Sequence, residues 1–78
     1  MARLFFETAA KIGKTAVPAL VKVVRHDTMA IRLGAAEALG LIGPDATPAL
    51  QALQGRAKDS SLEVRAAAYK AIKRIQAK

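Results

Sequence analysis

Few side chains in this sequence could take part in acid–base or nucleophilic chemistry. Its one histidine, His26, precedes Asp27, and such a pair can in principle move a proton. Neighbouring residues at a helix boundary rarely converge on one substrate atom, however. Ser60 and Ser61 have no histidine nearby to activate a hydroxyl, and they suit a helix start better. The sequence therefore predicts no catalytic residue. We expect a protein that is not an enzyme.

Metal and cofactor sites need residue types that are scarce here. One histidine and no cysteine leave no ligand cluster, and the 6 acidic residues show no repeated metal spacing. No glycine-rich turn follows a strand, as a phosphate-binding loop requires. We expect no metal and no cofactor.

The lack of cysteine favours a reducing compartment, and no apolar run reaches the ~20 residues that span a bilayer. A cytoplasmic protein without a membrane span is expected.

The charge balance is strongly basic, with 13 lysines and arginines and a net charge of +7. Such a balance attracts nucleic acids, acidic proteins and anionic membranes without choosing among them. A phosphate backbone could be bound without sequence preference, although no aromatic residues are interleaved to stack on bases. The candidate nucleic-acid-binding residues are Lys22, Arg25, Lys58, Lys70 and Arg74.

Two internal repeats organise the chain. Most of residues 38–50 recurs in residues 9–20 at an offset of 30, and residues 31–39 resemble residues 64–72 at an offset of 33. A period in the low thirties is typical of stacked helical units, which work by presenting an extended surface. Apolar periodicity predicts one domain, residues 1–78, with five helices. Their expected ranges are about 3–12, 15–26, 28–42, 46–57 and 61–77.

Several residues suit the ends of these helices. Gly13 is expected to end the first helix in a left-handed conformation, and Gly43 with Pro44 to end the third. The expected N-caps of the third, fourth and fifth helices are Asp27, Asp45 and Ser60.

Two parts of the chain resemble HEAT repeats of the short, phycobilisome-lyase-like variety. The first is Ile31-Arg32 followed by residues 35–43, and the second is Pro48-Ala49-Leu50. Residues 59–68 resemble the start of another such repeat. The resemblance implies an all-α fold, an α-solenoid of about two and a half helical hairpins. Family members mostly bind proteins, while a minority bind nucleic acid, assist chromophore attachment or carry hydroxylase sites built from His-Glu dyads. This chain has no such dyad, which excludes the last group.

The resemblance also implies roles for particular positions. Arg32 and Arg65 match the arginine that often hydrogen-bonds between neighbouring repeats, and Asp27 and Asp59 match the turn aspartate. We expect these four to be structural. The second helix of each hairpin usually lines the concave face, which would place Lys22, Arg25, Gln51 and Gln54 on one polar surface.

The two ends of the chain depart from the repeat pattern. Leu4, Phe5 and Phe6 stand where the third helix has small residues. Either Phe5 fills space left by a missing neighbour, or Phe6 and Leu4 remain exposed and dock onto a second chain. In the last helix Lys73 and Arg74 stand where the third helix has Gly40 and Leu41. This change suits either a solubilising cap or a site for an anionic partner.

The leading hypothesis is a protein–protein interaction module, an adaptor, scaffold or accessory subunit that binds through the concave face and the apolar N-terminal end. Fewer than three repeats are marginal alone, so a larger assembly or a homo-oligomer is expected. The alternative is a nucleic-acid backbone binder. A third possibility, an accessory factor of a chromophore lyase, rests on the resemblance alone.

Overall fold

A computed structural model describes residues 2–77 of the chain. The elements in chain order are α1 (Ala2–Ile12), α2 (Val17–Val23), α3 (Met29–Ile42), α4 (Leu50–Arg56) and α5 (Leu62–Gln76). Three of these helices, α1, α3 and α5, are long, with 11, 14 and 15 residues. The other two have 7 residues each. No strand occurs within residues 2–77, so the all-α prediction is confirmed.

The two short helices differ from the prediction of five comparable ones. In place of long second and fourth helices, the chain forms 3-10 segments, Gly13–Ala16 and Gly43–Ala49, before α2 and α4. Gly13 and Gly43 have φ of +77° and +78°, which stops regular α-helix at the expected places. Pro48 lies inside the second segment, and the backbone at Ala46 departs from helical angles (φ −92°, ψ 15°) before α4 begins.

The helices form two layers. In the first layer α3 lies between α1 and α5 and contacts both. In the second layer α2 packs on α3, and α4 packs on α5. Small residues and a few aliphatic side chains fill the space between the layers. The largest side chains with no solvent exposure are Leu20, Val24, Leu39, Leu53 and Val64.

Glycine allows close approach at two places in the first layer. A Cβ atom on Gly34 would overlap the Phe6 ring of α1. One on Gly40 would lie 3.1 Å from the Cα atom of Ala71 in α5. The sequence thus sets how near each neighbouring helix can lie to α3, by leaving out a side chain where the neighbour passes.

The helix N-caps lie one residue beyond the predicted ones. Thr28 caps α3 in place of Asp27, and Ser61 caps α5 in place of Ser60, each with extended backbone angles. The Val64 amide donates to the Ser61 hydroxyl oxygen over 3.3 Å. Asp45, the expected cap of the fourth helix, lies within the second 3-10 segment and is exposed.

Changing Gly34 to alanine tests the packing of α1 on α3. We expect Gly34→Ala to lower the free energy of unfolding by about 1–2 kcal/mol, because displacing Phe6 outweighs the helix preference of alanine. Gly55→Ala in α4 meets open space and should raise stability by up to about 1 kcal/mol. Urea denaturation of both variants measures the difference. A stabilised Gly34→Ala protein would contradict the Phe6–Gly34 contact.

Candidate functional site

An apolar groove runs along α1 and the segment that follows it. Its outer surface includes large side chains with much solvent exposure: Leu4 is 70% exposed, Phe5 49% and Ile12 57%. The groove has a volume of about 440 Å³. We call this surface the N-terminal edge, formed by Leu4, Phe5, Thr8, Ile12, Ala16 and Ala19.

The internal repeat explains why this surface is uncovered. Thirty residues further on, the matching positions of α3 are less exposed, and α1 packs beside that helix. Leu4, Phe5, Thr8 and Ile12 correspond in this way to Gly34, Ala35, Ala38 and Ile42. Ala35 and Ala38 are buried, and the other two are half-buried. The N-terminal edge is therefore the face that a preceding unit would cover, and it carries larger side chains than its internal counterpart.

One of the two alternatives for the N-terminal residues left Phe6 exposed for docking, and the structure shows Phe6 buried instead. Phe6 is only 8% exposed, whereas Phe5 is half-exposed. Successive helical residues point about 100° apart, so only one of the two rings can face α3. Gly34 leaves room for the Phe6 ring, and Phe5 packs edge-on against it with ring centres 5.2 Å apart. Leu4 and Phe5, rather than Phe6, are the exposed apolar groups.

A second site is the buried carboxylate of Asp59, whose side chain is only 1% exposed. Arg32 donates to it twice, from Nε over 2.9 Å and from Nη2 over 3.1 Å. Arg56 Nη1 and the Ser61 amide each donate over 2.9 Å. We call these four residues the Asp59 cluster. It joins α3, the end of α4 and the start of α5.

These contacts decide the charge state of Asp59. Burial by itself raises the pKa of the carboxyl group. The hydrogen bond from Arg32, the Ser61 amide and the positive charges of Arg32 and Arg56 lower it by more. The net pKa of Asp59 lies below its ordinary value of 3.8, so the group is a carboxylate at neutral pH.

The turns before α3 and α5 follow the same plan, with a shift of 33 residues. Arg32 Nη1 donates to the His26 carbonyl over 3.0 Å, and Arg65 Nη1 donates to the Asp59 carbonyl over 2.7 Å. The Thr28 amide donates to His26 Nδ1, as the Ser61 amide donates to Asp59. The counterpart of Asp59 is therefore His26. The match proposed between Asp27 and Asp59 is one residue out of register.

Asp27 has a smaller role than predicted. Its side chain is exposed and has no hydrogen bond to residues 2–77. Only its backbone carbonyl takes part, accepting from Arg32 Nη1 over 2.8 Å. Arg56 was not predicted as a partner of Asp59, although its position three residues before Asp59 suits a local ion pair and could have revealed it.

The five candidate nucleic-acid-binding residues are divided between the two layers. Lys70 and Arg74 line a groove of about 540 Å³ between α3 and α5, in the first layer. The remaining predicted polar and basic residues are exposed and belong to the second layer or to the turns that follow its helices. These are Lys22, Arg25, Gln51, Gln54 and Lys58.

Within residues 2–77 no group of three or more histidine, aspartate or glutamate side chains could hold a metal ion. No helix in the same range is long and apolar enough to cross a membrane.

One comparison with known proteins identifies a family. A family model of HEAT repeats matches residues 3–73. The chain belongs to the HEAT-repeat family. HEAT repeats generally mediate protein–protein interaction, and the family is typically non-enzymatic. Beyond this HEAT-repeat match, neither the curated proteins nor the solved structures gave a similar protein.

Removing the charge of Asp59 should weaken the fold. We expect Asp59→Asn to lower the free energy of unfolding by about 3 kcal/mol at pH 7, because it leaves two arginines without their buried partner. Asp27→Asn is the matched control and should change stability by less than about 0.5 kcal/mol. Chemical denaturation measures both. Equal effects of the two changes would refute the central role of the cluster.

Stability should also depend on pH through Asp59. Its pKa is lower in the folded than in the unfolded chain, so its contribution is present above the ordinary value of 3.8. That contribution is lost as the pH falls through the folded value. Thermal unfolding from pH 6 downwards should show a steeper loss of stability below about pH 4 for the wild type than for Asp59→Asn. Parallel pH profiles would contradict the assignment.

Proposed function

We propose that this chain is a non-catalytic protein–protein interaction module, an adaptor, scaffold or accessory subunit built as a short α-solenoid of about two and a half repeats. Its main contact is the N-terminal edge. Lys22, Arg25, Gln51 and Gln54 provide a polar surface in the second layer. The expected setting is cytoplasmic, as part of a larger assembly.

The observation that carries the proposal is the N-terminal edge itself. Large apolar side chains are exposed on the face that the preceding unit covers in α3. Covering a leucine, isoleucine or phenylalanine fully is worth about 1.5–3 kcal/mol. Because Leu4, Phe5 and Ile12 are already partly covered, each has less than this to gain. Their combined burial would still supply several kcal/mol to a complex.

The nucleic-acid alternative has less support. Lys70 and Arg74 lie in a first-layer groove, whereas Lys22 lies in α2 of the second layer. A phosphate backbone would have to pass from one layer to the other to reach the whole proposed set. For the chromophore-lyase alternative, no contact or cavity among residues 2–77 speaks in its favour, and it rests on the family resemblance alone.

Site-specific photo-crosslinking in the cells that express the chain tests the proposal. A photoreactive phenylalanine analogue in place of Phe5 should join the chain to one protein, identified by mass spectrometry. The same analogue in place of Ser60, an exposed residue of the turn before α5, should not. With that partner purified, changing Leu4 and Phe5 together to serine should weaken binding at least about tenfold, since covering either side chain is worth more than 1 kcal/mol.

Competition with chain that carries no photoreactive group provides a matched control for the crosslinking experiment. An excess of unmodified chain should abolish the adduct, and an excess of the chain carrying Leu4→Ser and Phe5→Ser should not. Circular dichroism first establishes that the variant is folded. A partner captured equally from both positions, or an adduct that both competitors remove equally, would show that the N-terminal edge is not the binding surface.

A further inference from the structure

The outer face of α5 is the C-terminal counterpart of a face that is covered inside the molecule. Thirty-three residues earlier, Ala36 and Gly40 of α3 are buried and line the contact with α5. Their counterparts are Tyr69, which is 60% exposed, and Lys73, which is also exposed. Arg65 lies on the same side of α5, one turn before Tyr69. We call Arg65, Tyr69 and Lys73 the α5 outer face.

Arg65 uses only part of its hydrogen-bonding capacity. Arg32, its counterpart, directs Nη1 to backbone carbonyls and places Nε and Nη2 on the two carboxylate oxygens of Asp59. Arg65 makes the matching Nη1 contact, to the Asp59 carbonyl over 2.7 Å. Its Nε and Nη2 have no partner within residues 2–77. The edge of the guanidinium that binds a carboxylate in Arg32 is thus open in Arg65.

The open edge of Arg65 is held in place. The carbonyl that accepts its Nη1 belongs to Asp59, which Arg32 and Arg56 fix from the other side. Arg65 is half-buried, so fewer side-chain conformations are open to it than to a free surface arginine. A planar fork that is already oriented loses less entropy when it binds a carboxylate bidentately.

The bulk of the α5 outer face limits what can lie against it. At Gly40 the α5 backbone comes so close that even a Cβ atom would be crowded. Lys73 occupies the matching position in α5, so a further helix cannot pack there at the same short distance. An occupant must stay further away and reach Arg65 and Lys73 through its own long side chains.

We propose that the α5 outer face binds an acidic helical segment of a partner protein, with Arg65 as the carboxylate receptor. One glutamate or aspartate of the segment takes both open donors of Arg65. A second carboxylate, eight residues or about 12 Å along the segment, reaches Lys73. An apolar side chain between them packs on Tyr69. The net charge of +7 favours an acidic partner over a second copy of the chain.

The α5 outer face lies at the opposite end of the molecule from the N-terminal edge, and binding there does not depend on that edge. Changing Leu4 and Phe5 to serine should leave it intact, so failure at one end is distinguishable from failure at the other.

The direct test is a titration followed by nuclear magnetic resonance of the arginine Nε–H groups. The probe is an end-capped helical peptide with two glutamates about 12 Å apart, and the control peptide has glutamines in their place. The Nε–H signal of Arg65 should shift with the acidic peptide only. The Arg32 signal should not move with either peptide, because its donors are already occupied.

Variants show whether Arg65 binds a carboxylate through two hydrogen bonds or only attracts it by its positive charge. R65Q should weaken peptide binding about tenfold and R65K nearly as much, since a lysine cannot bind both oxygens. K14Q removes the same charge at the other end and should change the dissociation constant less than about twofold. If R65Q does not fold, the exposed K73Q variant should still weaken binding about threefold.

Three results would overturn the proposal. The first is an unmoved Arg65 signal in the presence of saturating acidic peptide. The second is an equal loss of binding in R65Q and K14Q, which would mean that only net charge matters. The third is an equal, Arg65-dependent response to an oligothymidine probe, which would assign the site to phosphate instead of a protein carboxylate.

Discussion

The buried carboxylate of Asp59 is the interaction on which the relative positions of α3, α4 and α5 depend. Leaving such a charge without partners in the protein interior would be unfavourable by several kcal/mol, so its donors must stay in place. Arg32 comes from the middle unit and Arg56 from the end of α4, while the backbone of Ser61 starts α5. One carboxylate therefore sets the register of two neighbouring units and the point where the last helix begins.

Apolar periodicity was enough to predict α1, α3 and α5, because each buries one continuous stripe. It overestimated the second and fourth helices, since a 3-10 segment before a short α-helix shows nearly the same apolar pattern. Arg32 and Asp59 were found from the repeat, but His26 was not matched with Asp59 because the two residue types differ. The choice between Phe5 and Phe6 depends on the position of Gly34, a tertiary contact that local sequence does not reveal.

The molecule uses small residues inside and large ones outside at equivalent positions. Gly34 and Gly40 let neighbouring helices approach α3, whereas Leu4 and Lys73 occupy the matching positions on the two open faces. A further unit with the same close helix packing does not fit either face. The two faces also differ in character, since one is apolar and the other carries arginine, tyrosine and lysine. Any partners at the two ends must differ in the same way.

The looser attachment of α1 has a consequence for the order in which the molecule opens. Helix α3 meets α5 over more of its length than it meets α1. Within residues 2–77 the one ion pair of α1 joins Arg3 and Glu7 of the same helix, so no ion pair fastens it to the rest. Local unfolding should start there and leave the α3–α5 half intact. The proposed apolar binding surface thus lies on a helix that can shift to fit a partner without disturbing Asp59.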